Sequence, residues 1–289
     1  VKVNIDQLYD QFAYGIDKHP QAIRSFVDFA VNNWGVSPRY LFILGKGREY
    51  KDFRSNQNTR NACLIPTFGN PGSDVLLAAD TSTSVPKIAI GRLAAFNLNQ
   101  ISTYLDKIVQ YDNQYYNFGD PFQTIAQKDY MKQIIHLGGG TDLSQQNQFR
   151  TYLDSYASTA GGTSWGAVTN SVFKNSSAPI QTLPSELIRN LINEGVSLIT
   201  FFGHSYAGGF DISFDDPENY TNVGKYPIFI ANGCNSGLIH AASQSISERF
   251  VLQDQKGAIA YLSTTDYSSS GALNTYSSNF APYSLQMCL

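Results

Sequence analysis

Residues 198–205 read Leu198-Ile199-Thr200-Phe201-Phe202-Gly203-His204-Ser205, an apolar run that passes into a polar turn. Residues 228–235 have the same form, Ile228-Phe229-Ile230-Ala231-Asn232-Gly233-Cys234-Asn235. Both runs are too short to span a membrane, and their β-branched and aromatic residues are typical of buried parallel strands. One turn carries a histidine and the other a cysteine, which together make the simplest pairing of a base with a thiol nucleophile.

The two turns are predicted to meet. In an open α/β sheet, ligands bind beyond the carboxyl ends of the strands, so His204 and Cys234 lie side by side if their strands are neighbours. Gly203 and Gly233 permit tight turns there, and the backbone N–H groups of Ser205 and Cys234 are candidates for an oxyanion hole. The alternative is structural, because cysteine is among the most buried residue types and a histidine at a strand end is often only a hydrogen-bonded polar group.

The amino-acid composition excludes some classes of protein and favours others. The chain has 289 residues and a formal net charge of -3, and charged residues make up only 15% of it. This balance argues against the basic surface of a nucleic-acid-binding protein and favours a secreted or cell-surface protein. No apolar stretch reaches the roughly 20 residues of a membrane helix. The start at Val1 without Met favours a domain cut from a larger precursor.

The three cysteines give no metal or disulfide pattern. Cys63, Cys234 and Cys288 form an odd set without a CxxC spacing, so neither a zinc site nor a disulfide framework is indicated. Cys63 precedes an apolar pair and is predicted to be a packed thiol. His19, His136 and His240 have no metal-ligand spacing, and His136 is predicted to be a core or interface residue.

Short apolar runs typical of strands alternate along the chain with segments whose apolar residues recur at helical spacing. Strands are predicted at residues 40–45, 87–91, 132–138, 196–202, 227–231 and 257–262, and helices at residues 20–34, 98–112, 184–194 and 243–255. This alternation predicts an α/β fold with largely parallel sheets flanked by helices. The series runs twice, which predicts subdomains over residues 1–127 and 128–289, with the polar, aromatic segment 113–121 between them.

Three further features of the sequence are candidate ligand sites. The Gly138–Gly140 run follows a predicted strand, but it is not GxGxxG and lacks the lysine of a P-loop, so nucleotide binding is not favoured. The acidic run at residues 215–218 has oxygens that suit structural calcium, although a solvated loop is the simpler interpretation, and no cofactor is predicted. Arg92 is expected to pair with an acid such as Asp74 or Asp80 rather than bind an anionic group.

Short motifs in a fixed order cover most of the chain. In the first half they lie at residues 41–45, 50–52, 64–67, 73–74, 88–93 and 107–111. In the second half they are Gly203-His204-Ser205, Asn232-Gly233-Cys234-Asn235-Ser236-Gly237, Ser247-Glu248-Arg249-Phe250 and Lys256-Gly257-Ala258-Ile259-Ala260. Together these motifs resemble the gingipain-type cysteine peptidases, and more closely their PorU-like branch, the sortases of the type IX secretion system.

The resemblance implies a caspase-like α/β fold in two subdomains and thiol-dependent cleavage of peptide bonds. It implies Cys234 as the nucleophile, His204 as the base, and the Ser205 and Cys234 amides as the oxyanion hole. The sortase branch further implies removal of a C-terminal sorting domain from secreted cargo, with transfer to a surface glycolipid. Secretion-system proteins and that glycolipid are then the candidate partners, at the cell exterior or the outer-membrane surface.

Two positions depart from the family pattern. Ser205 stands where the family usually has glycine, and the loop after the strand near residue 137 carries glycines where gingipains place an acid that orients the histidine. Asp142 is the nearest acid to that place. Two alternatives therefore stay open: a gingipain-like scaffold that no longer cleaves, and a broad secreted protease without a sorting signal.

Overall fold

The computed structural model describes residues 1–80, 83–116, 122–162 and 166–286. Contacts divide the chain into two compact units, Val1–Ile101 with Ile239–Ser243, and Ser102–Leu238 with Gln244–Leu289. The helices are α1 (Ile5–Phe12), α2 (Gln21–Asn33), α3 (Tyr50–Arg54), α4 (Gln57–Asn61), α5 (Leu98–Tyr116), α6 (Ile125–Lys128), α7 (Leu143–Gly162), α8 (Ser185–Glu194), α9 (Ile246–Val251) and α10 (Ser270–Gln286). The strands are β1 (Tyr40–Leu44), β2 (Ala89–Leu93), β3 (Gln133–Gly138), β4 (Val168–Phe173), β5 (Gln181–Thr182), β6 (Leu198–Phe202), β7 (Ser205–Tyr206), β8 (Gly209–Phe210), β9 (Ile212–Ser213), β10 (Ile228–Asn232) and β11 (Ala260–Ser263).

A five-stranded parallel sheet forms the centre of the second unit. Its strand order is β11-β10-β6-β3-β4, and each neighbouring pair is parallel. Parallel neighbours need crossover connections, which the intervening helices supply. The two apolar runs that end in His204 and Cys234 are therefore neighbours in this sheet. The predicted α/β fold with parallel sheets flanked by helices is confirmed.

Helices pack on both faces of this sheet. On one face, α8 and α9 bury Ile188 and Phe250 against sheet residues that include Phe201 and Phe229. On the other face, α7 packs its aromatic residues against Phe202, and α10 packs against α7. Successive strand residues point to opposite faces, so Phe201 and Phe202 belong to different layers. The end of β6 is consequently held from both sides.

The first unit contains a smaller parallel sheet, in which Tyr40 of β1 pairs with Ala89 of β2. Helices α1 and α2 pack against this sheet. Their shared core consists of Leu8, Tyr9, Ala13, Ala22, Ile23, Val27, Ile43, Leu77, Ala78 and Ile88. The unit is thus an α/β layer with its own hydrophobic core.

A buried ion pair stabilises the loops at the end of β2. The Arg92 side chain is 1% exposed and donates two hydrogen bonds of 2.7 Å to the carboxylate of Asp74. The remaining guanidinium hydrogens meet the carbonyls of Gly45, Ile65 and Pro66. Every N–H donor of the Arg92 guanidinium therefore has an acceptor within the first unit. The expectation that Arg92 pairs with an acid is confirmed, and Asp74 is that acid.

Several element bounds differ from the predicted ones. The predicted strand at residues 257–262 begins only at Ala260, because Gly257 adopts a φ of +79° and its N–H donates to the Asn222 side chain. Helix α5 continues through Tyr116 into the segment predicted as a linker, and residues 117–121 of that segment lie outside the described residues. The predicted subdomain boundary after residue 127 follows α5, whereas contacts place most of that helix in the second unit. No helix in the described ranges is both long and apolar enough to cross a bilayer.

Candidate active site

The turns that carry His204 and Cys234 start at the same edge of the five-stranded sheet. Phe202 and Asn232, the last residues of β6 and β10, are partners in the parallel register. The N–H of Gly203 then donates to the Asn232 carbonyl at 3.1 Å, which continues the ladder by one step. His204 lies two residues after Phe202, and Cys234 lies two residues after Asn232, so the two residues follow the same register pair.

A side-chain hydrogen bond joins the two turns. The Ser205 hydroxyl donates to the carbonyl oxygen of Cys234 at 2.7 Å. A Cβ atom at Gly233 would lie 3.0 Å from both the Gly203 carbonyl oxygen and the Ser205 Cβ, which is tighter than nine in ten Cβ contacts in real structures. Glycine at position 233 therefore permits this close approach, and Ser205, the departure from the family pattern, forms the link itself.

The Cys234 turn is also held by the segment that follows β11. The thiol of Cys234, which is half-buried, donates to the Ser268 carbonyl at 3.7 Å. The next N–H, that of Asn235, donates to the Asp266 carbonyl at 3.2 Å, and Asn235 adopts a φ of +59°. The Thr264 hydroxyl donates to the Gly233 carbonyl at 2.7 Å. These bonds fix the backbone on both sides of the thiol.

His204 is exposed and touches the start of α7. Its Nε2 lies 2.9 Å from Oε1 of Gln145, which is in the first turn of that helix. Its ring also packs against the Phe149 ring, with the ring centroids 6.2 Å apart and the planes at 64°. The imidazole thus has a polar contact at one nitrogen and an aromatic neighbour.

Asp142, the acid predicted to orient the histidine, caps α7. Its carboxylate accepts from the N–H of Gln145 at 2.9 Å, and its carbonyl accepts from the N–H of Gln146. Asp142 therefore acts on the residue that contacts His204. Gln145 was not among the predicted site residues, because helix α7 was not predicted. The spacing Asp142-x-x-Gln145 is a capping-box pattern that could have revealed it.

The glycine run after β3 surrounds a buried carboxylate. Asp211 accepts from the N–H of Gly140 at 2.7 Å, and its own N–H donates to the His204 carbonyl at 2.8 Å. A Cβ at Gly139 would come within 2.8 Å of the Asp211 Cγ. Lys174, whose side chain is fully buried, lies 3.6 Å from the same carboxylate. The glycines thus make room for Asp211, which connects this loop to the His204 turn.

The hairpin after His204 orients the Ser205 amide. Strands β7 and β8 are antiparallel with Ser205 opposite Phe210, and the Asp211 N–H bonds the His204 carbonyl one position earlier. Hydrogen-bonded and non-hydrogen-bonded pairs alternate along such a ladder. The N–H of Ser205 therefore points away from β8.

The acidic run at residues 215–218 contacts arginines. Asp215 pairs with Arg189 at 2.6 Å, while Asp216 and Glu218 each lie 2.9 Å from Arg249. Within the described ranges no group of three or more acidic, histidine or cysteine side chains is placed to hold a metal ion.

Of the other cysteines and histidines singled out in the sequence, Cys63 and His136 are buried and Cys288 lies outside the described residues. Cys63 is fully buried, as predicted, and burial raises the pKa of its thiol. His136 is 1% exposed on β3, where burial lowers its pKa to about 4. Cys288 lies outside the described residues. Of the two described thiols, the one in the turn beside His204 is the more accessible.

Solved structures with a similar fold are proteases. Gingipain R (RgpB), an Arg-specific cysteine proteinase, superposes with a TM-score of 0.70 at 15% identity, over 92% of this chain and 57% of that one. The complex of the pro- and mature domains of RgpB from Porphyromonas gingivalis gives 0.73 at 15% identity, over 100% and 62%. A structure described only as a protease gives 0.63 at 18% identity, over 88% and 52%. At these identities the likeness shows a gingipain-like fold, and this chain spans little more than half of each relative.

Sequence comparison gives the family. No match is found among curated proteins. The sequence model of Peptidase family C25 matches residues 1–287, nearly the whole chain. The chain therefore belongs to Peptidase family C25, the gingipain-type cysteine peptidases.

Proposed function

We propose that this chain is a thiol-dependent endopeptidase domain in which Cys234 is the nucleophile and His204 the general base. The observation that supports this most strongly is the pairing of their two turns at one sheet edge, through the bonds Gly203–Asn232 and Ser205–Cys234. Membership of Peptidase family C25 supports the same chemistry. A thiol and an imidazole at the carboxyl ends of adjacent parallel strands can generate a thiolate at neutral pH.

In the proposed reaction, His204 takes the proton from the Cys234 thiol and the thiolate attacks the carbonyl carbon of the scissile peptide bond. The carbonyl becomes a tetrahedral oxyanion. The imidazolium then gives its proton to the departing amine as the C–N bond breaks, which leaves an acyl-thioester on Cys234. Water, or an amine acceptor, attacks this ester while His204 takes the proton of the attacking group, and the thiol is released.

The Ser205 and Cys234 backbone amides are the proposed oxyanion hole. Two observations support this assignment: the ladder turns the Ser205 N–H away from β8, and hydrogen bonds fix the Cys234 turn on both sides. Amides held in place before the reaction stabilise the developing charge without reorganisation. Gly233 lets the two turns approach each other closely, because a Cβ there would meet the Gly203 carbonyl oxygen and the Ser205 Cβ.

The proposed substrate is a secreted protein that carries a C-terminal sorting domain, and the proposed acceptor is an amine of a surface glycolipid. This part rests on the sequence resemblance to the type IX secretion system sortases. The proposed location is outside the cell or on the outer membrane, and the proposed partners are secretion-system proteins. The alternatives are a scaffold that does not cleave and a protease that acts without a sorting signal.

Processing of a cargo peptide with its sorting domain tests the proposal. The unaltered chain should release the cargo segment, and Cys234→Ala should abolish release while circular dichroism shows an intact fold. Asp142→Asn should reduce the rate less, because its carboxylate contacts the Gln145 backbone rather than the imidazole. Cleavage by Cys234→Ala at the unaltered rate would leave the scaffold interpretation, and equal cleavage of peptides without a sorting signal would favour the broad protease.

A further inference from the structure

We infer that Thr141 and Gln145 fix the tautomer of His204, so that Nδ1 is the ring atom that accepts the Cys234 proton and an uncharged amide takes the place of an orienting acid. The inference rests on the proposed function for the role of the proton. The tautomer itself follows from contacts around the Gln145 side chain, and it can be measured without any assay of activity.

The orientation of the Gln145 amide is determined by a backbone donor. Oε1 of Gln145 lies 3.1 Å from the N–H of Thr141 and 2.8 Å from the Thr141 hydroxyl. A backbone N–H can only donate, so the atom that faces it must be the amide oxygen and not the amide nitrogen. Rotating the amide by 180° would set two donors against each other. The assignment of oxygen and nitrogen therefore follows from chemistry.

The same oxygen faces Nε2 of His204 at 2.9 Å. If Nε2 were unprotonated, two lone pairs would face each other at hydrogen-bond distance. Nε2 must therefore carry the proton and donate to Gln145. In the neutral ring the lone pair is then on Nδ1, which is the only ring atom left to act as a base.

Gln145 is itself held in place from its backbone. Asp142 caps the helix at the Gln145 N–H, and the preceding Gly140 N–H is bound by Asp211, whose own N–H bonds the His204 carbonyl. The loop, the helix start and the histidine turn thus form a closed ring of hydrogen bonds. Gln145 is in this sense a positioning residue for His204.

An amide in this position has an electrostatic consequence. A carboxylate would stabilise the imidazolium that forms when Nδ1 takes the thiol proton, whereas a neutral amide orients the ring without adding charge. Ionisable groups near the histidine turn include Asp142 at the cap of α7, Asp211 with Lys174, and Cys234 after β10. A carboxylate in place of the amide would lie in direct contact with the ring.

Nitrogen NMR of the full chain with labelled histidine tests the inference. Four histidines are present, and a His204→Gln variant assigns the His204 signals. In the unaltered chain, the neutral ring of His204 should carry its proton on Nε2. Gln145→Glu should keep this tautomer and move the midpoint of the imidazole titration at least ~0.5 pH unit upward. Gln145→Leu should weaken the preference for Nε2 to that of a free histidine side chain.

Gln148→Glu is the matched control, because Gln148 lies one turn along the same helix and bonds Tyr152. It should leave the tautomer and the titration midpoint unchanged. In peptide cleavage, Gln145→Leu should lower kcat at least ~10-fold with little change in KM, and Gln145→Glu should restore most of the rate.

A His204 ring protonated on Nδ1 in the unaltered chain, or evenly mixed, overturns the inference without the use of any variant. An equal titration shift in Gln145→Glu and Gln148→Glu also overturns it. Loss of the proposed peptidase function would leave the NMR result intact, so the two failures are distinguishable.

Discussion

The hydroxyl of Ser205 lies 2.7 Å from the carbonyl oxygen of Cys234 and joins the two turns of the candidate site. In the gingipain-type motif that this turn resembles, glycine usually stands at this position. The serine adds a contact that glycine cannot make. Its side chain links the turn of the proposed base to the turn of the proposed nucleophile through one hydrogen bond.

Removal of that hydrogen bond should lower the rate of catalysis, with only a small loss in the free energy of unfolding. For Ser205→Ala we expect kcat/KM to fall about fivefold to tenfold, because one hydrogen bond contributes about 1 kcal/mol. Ser197→Ala is the control, since Ser197 makes a similar bond to the Gln133 carbonyl at the opposite end of β6. Both variants should lose similar stability in urea unfolding. Equal losses of activity would show that the Ser205 bond has no special role.

The described cysteines should differ sharply in reactivity. Cys234 is half-buried in a turn joined to the His204 turn, whereas Cys63 is fully buried and burial raises the pKa of its thiol. Since the thiolate is the reactive form, iodoacetamide should label Cys234 first and Cys63 only on unfolding. Mass spectrometry of digested protein, in a Cys288→Ser background, measures both rates. Equal labelling of Cys63 and Cys234 in the folded chain contradicts this.

Stability should fall in mild acid because of His136. Burial lowers the pKa of this histidine to about 4, so between pH 6.5 and about 4 the unfolded chain takes up a proton that the folded chain does not. The free energy of unfolding should drop by up to about 3 kcal/mol over this window. His136→Leu should flatten the pH dependence, measured by urea unfolding at a series of pH values. His240, whose pKa burial also lowers to about 4, should contribute part of the remaining slope.

The ion pair of Arg92 and Asp74 should be essential to the first unit. Burial alone would raise the pKa of Asp74, but the Arg92 guanidinium outweighs it and holds this pKa below the ordinary value. The pair therefore stabilises the fold above the ordinary carboxyl pKa and is lost as the pH falls through the folded-state value. Asp74→Asn should cost about 3–5 kcal/mol, because it leaves a buried cation unpaired. Urea unfolding measures this, and a cost below about 1 kcal/mol would mean that the carbonyl bonds of Arg92 suffice.

Much of the sheet was predictable from the sequence. The strands that end at Phe202 and Asn232 are continuous apolar runs, which is the pattern of a strand buried on both faces. Strand β4 was not predicted, because an edge strand such as Val168–Phe173 mixes polar and apolar residues and is only half-buried. Helix α7 was missed although Phe149, Leu153, Tyr156 and Ala160 recur at helical spacing.

The candidate site was predictable only in part. Cys234 and His204 are visible because each follows a strand and a glycine. The contact of Gln145 with His204 depends on where α7 begins relative to the sheet edge. The contact of Asp211 with the glycine loop depends on the path of the hairpin that follows His204. Such contacts between segments about 60–70 residues apart leave no periodic signal in the sequence.

Formation of an acyl-enzyme on Cys234 tests the central claim most directly. A peptide ester is incubated with the full chain, the reaction is quenched in acid, and the intact mass and peptide map are recorded. We predict a mass gain equal to the acyl group, located on Cys234, absent from Cys234→Ala and slowed at least ~100-fold in His204→Gln. An adduct on another residue, or the same adduct yield in Cys234→Ala, would contradict the account.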